Sequence, residues 1–324
     1  MAFVTAGSVR FHVQQLPANH VQQRPVDHVQ QPPAVHVQQR PADHDRRLPA
    51  AAGAAAPDRP ERPVVVFLHG LVVDNLSSFY CPLAVPAARA GHEVVLYDLR
   101  GHGRTERPAT GYDSRTAVRD LFALLGALGL GRRPVHLVGN SYGGTLALHA
   151  ALARPDLVTG LTLLEPPLGG AWVENMVDTL SAAALSLEDS PVPAELLTLR
   201  LRKAASLTAI ADDLLNRTTL IDDIAASRTF TPADYAGLHC PVLIVCGEHS
   251  ELVPGARELA RHAPLVTAVE ILPGLGHDVL KESSGALRAA VLSHLDAAAG
   301  AMAETASGAP VEAAVRPRAG VLVP

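Results

Sequence analysis

A serine in a glycine-flanked turn is the strongest candidate for chemistry in this sequence. Ser141 lies in the run Gly139-Asn140-Ser141-Tyr142-Gly143, after the apolar residues 135–138 and before a helix-like stretch. A sharp turn between a strand and a helix exposes the serine hydroxyl, and it needs small neighbours because larger side chains do not fit beside it. The amides at the start of the helix face the charge that develops when a hydroxyl attacks a carbonyl. This context favours a nucleophile over an ordinary turn serine.

A serine hydroxyl is a poor nucleophile until a base within hydrogen-bond reach accepts its proton. His277 is the candidate base because, of the fifteen histidines, it alone follows a late strand-like run in a glycine-rich turn. His69, His102 and His249 lie in turns or loops, and we interpret them as structural residues.

Three further motifs make the stretch from about Arg62 to Ala298 resemble the alpha/beta hydrolase superfamily. They are Phe67-Leu68-His69-Gly70-Leu71, Tyr97-Asp98-Leu99-Arg100-Gly101-His102-Gly103 and Leu272-Pro273-Gly274-Leu275-Gly276-His277. The first resembles the family's His-Gly turn, the second its Asp-x-Arg-Gly-x-Gly loop, and the third the loop that carries the catalytic histidine. The resemblance implies an oxyanion hole made by the backbone amides of Leu71 and Tyr142, with no cofactor and no metal.

The acid that should orient the histidine is not at the family's usual place. Most members have an aspartate three residues after the glycine that ends the next-to-last strand, whereas Gly247 is followed at that distance by Ser250. A serine cannot carry the charge that stabilises an imidazolium. Haloalkane dehalogenases and zearalenone-type lactonases of this superfamily can use an acid at an earlier strand end, which here is Glu165. Glu251 is the first alternative candidate for the acid, and Glu248 is the second.

Short apolar runs alternate with helix-like stretches from Pro63 onward. The strand candidates are 64–68, 93–97, 135–138, 161–164, 242–246 and 266–272, and the helix candidates are near 77–90, 114–130, 142–153, 255–263 and 279–298. Apolar strands separated by helices favour a mostly parallel sheet with helices on both faces. The predicted fold class is therefore α/β, with an α/β-hydrolase core over residues 62–167 and 239–298.

Residues 168–238 break this alternation. They contain helical stretches near 174–187 and 193–205 and no convincing strand. A helical insertion after a strand is expected to cover the carboxyl edge of a sheet, so these residues are predicted to form a cap. Candidate pocket-lining residues are Trp172, Met176, Phe79 and Tyr80, although such side chains are more often part of a core.

The N-terminal part contains a repeat with a period of eight residues. The histidines at 12, 20, 28, 36 and 44 recur at this spacing, four of them in the unit His-Val-Gln-Gln-x-Pro. A proline in each unit interrupts both helices and strands, so residues 16–61 are predicted to be a disordered insertion. Residues 1–15 hold a possible edge strand, because residues 9–13 alternate like one. Residues 299–324 are rich in Ala, Gly and Pro and are predicted to be a disordered tail.

Composition narrows the possible partners. The 324 residues carry a formal charge of −5 and a pI near 6.3, which does not suggest a surface for nucleic acid or for an anionic membrane. The three cysteines form no CxxC pair, and no apolar run is long enough to span a bilayer. We therefore expect a cytoplasmic protein that acts on a small molecule, in an oligomeric state that the sequence leaves open.

The residues together predict acyl transfer. Haloalkane dehalogenases and most epoxide hydrolases of this fold have aspartate where Ser141 stands, so the serine favours an ester, thioester or lactone of a small apolar metabolite. The first alternative is an enzyme of secondary metabolism that forms or breaks a C–C bond, eliminates or transfers an acyl group. The second is a ligand-binding receptor that has kept the pocket.

Overall fold

A computed structural model describes residues 1–19, 62–189, 202–282 and 284–306. Its centre is one eight-stranded sheet with the strand order β1-β2-β4-β3-β5-β6-β7-β8. The strands are β1 (Ala2–Ala6), β2 (Val9–Leu16), β3 (Val64–Leu68), β4 (Val94–Tyr97), β5 (Val135–Asn140), β6 (Val158–Leu164), β7 (Val242–Gly247) and β8 (Val266–Leu272). The pairings from β4 through β8 are parallel, and β2 is antiparallel to both β1 and β4.

Helices lie on both faces of this sheet. They are α1 (Ser77–Phe79), a π-helical segment Tyr80–Ala84, α2 (Val85–Arg89), α3 (Ser114–Ala127), α4 (Tyr142–Ala153), α5 (Trp172–Asp189), α6 (Arg202–Asn216), α7 (Leu220–Ala225), α8 (Pro232–Ala236), α9 (Val253–His262), α10 (Val279–Glu282) and α11 (Ser284–Ala306). One apolar core joins the sheet to α3, α4 and the helices between β6 and β7, and a second joins it to α2, α10 and α11. All residues of β3, β4 and β7 are buried, as expected for strands covered on both faces. The predicted α/β fold class is confirmed.

The structure adds detail at both chain ends. The N-terminal part forms a hairpin in which β1 is the edge strand of the sheet, and the run at residues 9–13 belongs to β2, one place further in. At the other end α11 continues to Ala306 instead of ending near residue 299, because the alanines there have the highest intrinsic helix propensity. The repeat from residue 20 to 61 and the tail from residue 307 lie outside the described residues.

The segment between β6 and β7 is helical where it is described. It contributes α5, α6, α7 and α8 and no strand over residues 168–189 and 202–238. Helix α5 packs against both α6 and α7. The helical stretch predicted near 193–205 falls mostly outside the described residues. Among the described helices, none is both long and apolar enough to cross a membrane.

Candidate active site

Ser141 occupies a strained turn between β5 and α4. Its backbone has φ 51° and ψ −126°, a conformation that residues other than glycine adopt only when the surrounding structure enforces it. A side chain at Gly139 would collide with the backbone of Gly143, and one at Gly143 would collide with the backbone of Leu68. The glycines around Ser141 are therefore a steric requirement of this turn.

The His277 imidazole lies between Ser141 and Glu165. Its Nε2 is 3.2 Å from Ser141 Oγ, and its Nδ1 is 3.2 Å from Glu165 Oε2. The His277 side chain is 51% exposed, while the Glu165 side chain is fully buried. This arrangement lets the imidazole accept the serine proton at Nε2 while Nδ1 donates to the carboxylate.

Glu165 is held by the strand next to its own. It follows β6 with φ 49°, and its Oε1 accepts a hydrogen bond from the amide of Gly247 at the end of β7. Its Oε2 accepts a second hydrogen bond from the hydroxyl of Ser250, besides the one from His277. A buried carboxylate needs such partners, because an unpaired buried charge is costly. Sequence reasoning missed this role of Ser250.

The two alternative acids lie elsewhere. Glu248 is exposed, and its Oε2 accepts a hydrogen bond of 2.9 Å from the amide of Gly274 in the histidine loop. Glu251 is also exposed. In the described part of the chain, Glu165 supplies the only carboxylate within 4.0 Å of the His277 ring nitrogens.

The loop after β3, residues 69–74, lies against the serine and is called the oxyanion loop below. A side chain at Gly70 would approach the Ser141 Cβ to 3.4 Å. The Gly70 amide donates to Asp74 Oδ2 over 2.7 Å, and the Val72 amide donates to His102 Nε2 over 2.9 Å. Within the described residues, the amides of Leu71 and Tyr142 have no acceptor, so both remain available to an oxyanion.

Two buried histidines brace this loop. His102 Nδ1 donates to the Arg100 carbonyl, and its Nε2 accepts from the Val72 amide. Likewise, His69 Nδ1 donates to the Gly70 carbonyl, and its Nε2 accepts from the Leu99 amide. Burial lowers the pKa of His69 and lowers the pKa of His102 to about 3. Both rings are therefore neutral near pH 7, which a histidine must be to accept a hydrogen bond.

The predicted pocket-lining residues differ in their surroundings. Phe79 is fully buried and packs on Phe67 with ring centres 4.9 Å apart, so it belongs to the core, which is the more frequent place for such a side chain. Trp172 is buried 6.4 Å from the Tyr142 ring. Tyr80 and Met176 are half-buried. Over the described ranges, no group of three or more His, Cys, Asp or Glu residues could hold a metal ion.

Comparison with known proteins identifies the family of this chain. Residues 65–290 match the model of the Alpha/beta hydrolase family. The chain belongs to that family. This alpha/beta hydrolase is 27% identical over 262 residues to 2-(acetamidomethylene)succinate hydrolase of Mesorhizobium japonicum, covering 72% of this chain and 88% of the relative.

Two solved structures have the same fold. A serine hydrolase involved in carbazole degradation, the CarC enzyme, aligns with a TM-score of 0.62 at 17% identity over 91% of this chain and 98% of its own. The enol-lactonase from Burkholderia xenovorans LB400 aligns with a TM-score of 0.58 at 17% identity over 91% and 100%. The family makes this alpha/beta hydrolase an enzyme, while the likeness to the solved structures concerns the fold alone.

Proposed function

We propose that the protein is a serine hydrolase that cleaves an ester, thioester or lactone bond of a small apolar metabolite through an acyl-enzyme on Ser141. The observation that carries this proposal is the continuous hydrogen-bonded path from Ser141 Oγ through the His277 ring to Glu165. A serine activated by an oriented imidazole is the arrangement that acyl transfer requires.

The first half of the reaction forms the acyl-enzyme. His277 Nε2 accepts the hydroxyl proton while Ser141 Oγ bonds to the substrate carbonyl carbon. The carbonyl oxygen becomes an oxyanion, and the unpaired amides of Leu71 and Tyr142 stabilise it. When the tetrahedral intermediate collapses, the leaving group takes the proton from His277 and departs.

The second half releases the acid. His277 Nε2 removes a proton from water as the water oxygen bonds to the acyl carbon, and the oxyanion again forms near the amides of Leu71 and Tyr142. Collapse breaks the bond to Ser141 Oγ, which recovers its proton from His277. Glu165 stays ionised throughout and stabilises the imidazolium in both halves.

Substitution of Ser141 tests the proposal. We expect Ser141→Ala to lose both labelling by a fluorophosphonate probe and hydrolysis of 4-nitrophenyl esters, the latter by roughly 10³-fold or more. Ser186→Ala is the matched control, because Ser186 is an exposed serine on α5 whose hydroxyl donates to the Ala182 carbonyl of its own helix. An unlabelled wild type would favour a receptor, and ester hydrolysis retained by Ser141→Ala would refute the acyl-enzyme.

We also propose that the protein is cytoplasmic, because its three cysteines are free thiols. Cys81 is exposed, and Cys240 and Cys246 are buried, all as free cysteines. Burial raises the pKa of both Cys240 and Cys246 to about 12, so these two are inert at neutral pH. Free thiols are typical of a reducing compartment.

A further inference from the structure

Ser250 is a buried residue in the turn that follows β7. Its amide donates to the Gly247 carbonyl over 3.1 Å, which closes the turn. Its hydroxyl has two contacts: the Leu252 amide donates to Oγ over 3.2 Å, and the hydroxyl also meets Glu165 Oε2. The side chain is therefore fixed by the backbone on one side and by the carboxylate on the other.

These two contacts determine the direction of the hydrogen bond between Ser250 and Glu165. A hydroxyl can donate one proton and also accept, whereas an ionised carboxylate only accepts. Because the Leu252 amide donates to Oγ, the hydroxyl proton points to Oε2. Leu252 is the N-cap residue of α9, where the amides lack helical acceptors and carry a partial positive charge. This amide polarises the hydroxyl and strengthens it as a donor.

Two donors share the Oε2 atom of Glu165. One is the Ser250 hydroxyl, and the other is His277 Nδ1 at 3.2 Å. Each hydrogen bond to a carboxylate stabilises its negative charge, so an oxygen that accepts a second bond attracts the first donor less strongly. The Ser250 hydroxyl thus reduces the attraction between Glu165 and the protonated form of His277.

The other ionisable groups near this arrangement are neutral or have partners of their own. Cys246 is buried on β7, and burial, followed by the charge of Glu165, raises the pKa of Cys246 to about 12, so the thiol stays uncharged. Charged side chains in the oxyanion loop and around the histidine loop each bind another group or lie exposed to water; they are Asp74, Glu248, Asp278 and Lys281. Water screens the exposed ones.

We propose that Ser250 is a positioning residue of the reaction, whose hydroxyl fixes Glu165 Oε2 and limits how strongly His277 holds a proton. A general base must be free of its proton at the working pH and still accept one from the serine hydroxyl. The donor at residue 250 favours the free form of His277 and so extends activity to lower pH. This inference rests on the proposed hydrolytic function and concerns the pH range of the same site.

The pH profile of ester hydrolysis tests this role in the full-length protein. The kcat/KM for 4-nitrophenyl acetate is measured from about pH 5 to about pH 8, and the midpoint of its acidic limb reports protonation of the base in the free enzyme. We expect Ser250→Ala to move this midpoint upward by about 0.5–1 pH unit, because Oε2 loses a donor and attracts the imidazolium more strongly. The plateau kcat/KM should stay within about tenfold of wild type, since His277 keeps its contact with Glu165.

Three further variants separate the hydroxyl from the space that it fills. Ser250→Thr keeps a hydroxyl and should return the midpoint to that of wild type. Ser250→Cys places a weaker donor at the same point and should give a smaller upward shift, which serves as the test if Ser250→Ala does not fold. Ser186→Ala removes an exposed hydroxyl on α5 and should keep the wild-type profile. Thermal unfolding shows which variants are folded.

A midpoint that stays in place or moves to lower pH when the hydroxyl is removed overturns the role of Ser250. A purely structural contact would have that effect, because its loss lets Glu165 move away from His277 and weakens the attraction to the imidazolium. NMR titration of the His277 ring signal, identified by its absence in His277→Gln, measures the same shift without hydrolysis. A ring midpoint that rises in Ser250→Ala while wild type hydrolyses no ester contradicts the proposed function and supports the role of Ser250.

Discussion

Ser250 and His277 share one oxygen atom of Glu165. Both donate a hydrogen bond to Oε2, while Oε1 is held by the amide of Gly247. The resemblance to the family places the expected acid at residue 250, and the Ser250 hydroxyl meets the same oxygen of Glu165 as the His277 ring. Groups at the end of β7 thus hold the carboxylate that follows β6, and that carboxylate alone contacts the imidazole nitrogen.

We expect the acid to be movable between these two strand ends. Glu165→Ala should lower kcat/KM for an activated ester by roughly 10³- to 10⁴-fold, because the imidazolium loses its partner. Glu165→Ala combined with Ser250→Asp should recover about tenfold or more of that loss. A carboxylate at residue 250 would lie near the position that Glu165 Oε2 occupies in wild type.

Glu251→Gln serves as the matched control for this exchange. Its side chain is exposed, and we expect its kcat/KM to stay within about twofold of wild type. A large loss in Glu251→Gln with little loss in Glu165→Ala would move the acid to residue 251. A double variant no more active than Glu165→Ala would show that residue 250 cannot place a carboxylate on His277.

The oxyanion loop is positioned in part by a neighbouring loop, in addition to the hydrogen bonds within it. Val72 has φ 66°, which is unfavourable for a β-branched residue. Its amide donates to His102 Nε2 in the loop after β4, and Asp98 of that loop accepts from the Leu76 amide. The neighbouring amide of Leu71 is therefore aimed by contacts that cross between two strand ends.

We expect His102→Phe to weaken both catalysis and stability. The ring would still fill the space, but the Val72 amide would lose its acceptor, so the free energy of unfolding should fall by about 1–3 kcal/mol. Ester kcat should fall by roughly 10- to 100-fold as the Leu71 amide loses its fixed direction. Urea unfolding and initial rates measure the two effects.

His249→Phe is the control for the histidine substitution, because His249 is exposed in the loop after β7. It should change neither the unfolding free energy nor kcat by much. If His102→Phe unfolds like wild type and keeps its ester kcat, the bracing of the oxyanion loop by His102 does not matter to the reaction.

The elements differ in how much of them can be predicted from the sequence. Strands β3, β5 and β7 are apolar runs bounded by turn residues, so a local sequence pattern predicts them. Strand β1 is mostly exposed and has no such pattern. Ser141 and His277 likewise lie in local motifs, whereas the contacts of Ser250 with Glu165 and of His102 with Val72 join residues far apart in sequence. No local pattern encodes such contacts, because they arise only when the strand ends meet.

At the scale of the whole molecule, several buried histidines in separate parts of the fold have lowered pKa values. Burial lowers the pKa of His136 well below its usual range and lowers those of His149 and His294 to about 4. His102 and His69 at the oxyanion loop behave in the same way. His136 and His294 lie with ring centres 5.2 Å apart inside the fold. Burial thus keeps these five histidines of the described part of the chain neutral near pH 7.

This feature predicts that acid destabilises the protein from about pH 6.5 downward. A histidine with a lowered folded pKa is protonated first in the unfolded chain, so the unfolded state binds more protons between pH 6.5 and that pKa. Stability is then full above pH 6.5 and falls with pH, by up to about 1.4 kcal/mol per pH unit for each such group. Urea unfolding at about pH 7, 6 and 5 measures the slope.

His149→Phe tests this linkage at one site. The His149 ring packs 4.4 Å from the Phe230 ring, and its Nε2 has no partner among the described residues, so phenylalanine suits the site. Below about pH 6 the free energy of unfolding should fall less steeply with pH in the variant than in wild type. The difference in slope should equal the contribution of one titrating group. His262→Gln, an exposed position on α9, should keep the wild-type slope. Equal slopes in His149→Phe and wild type would mean that His149 is not held neutral by burial.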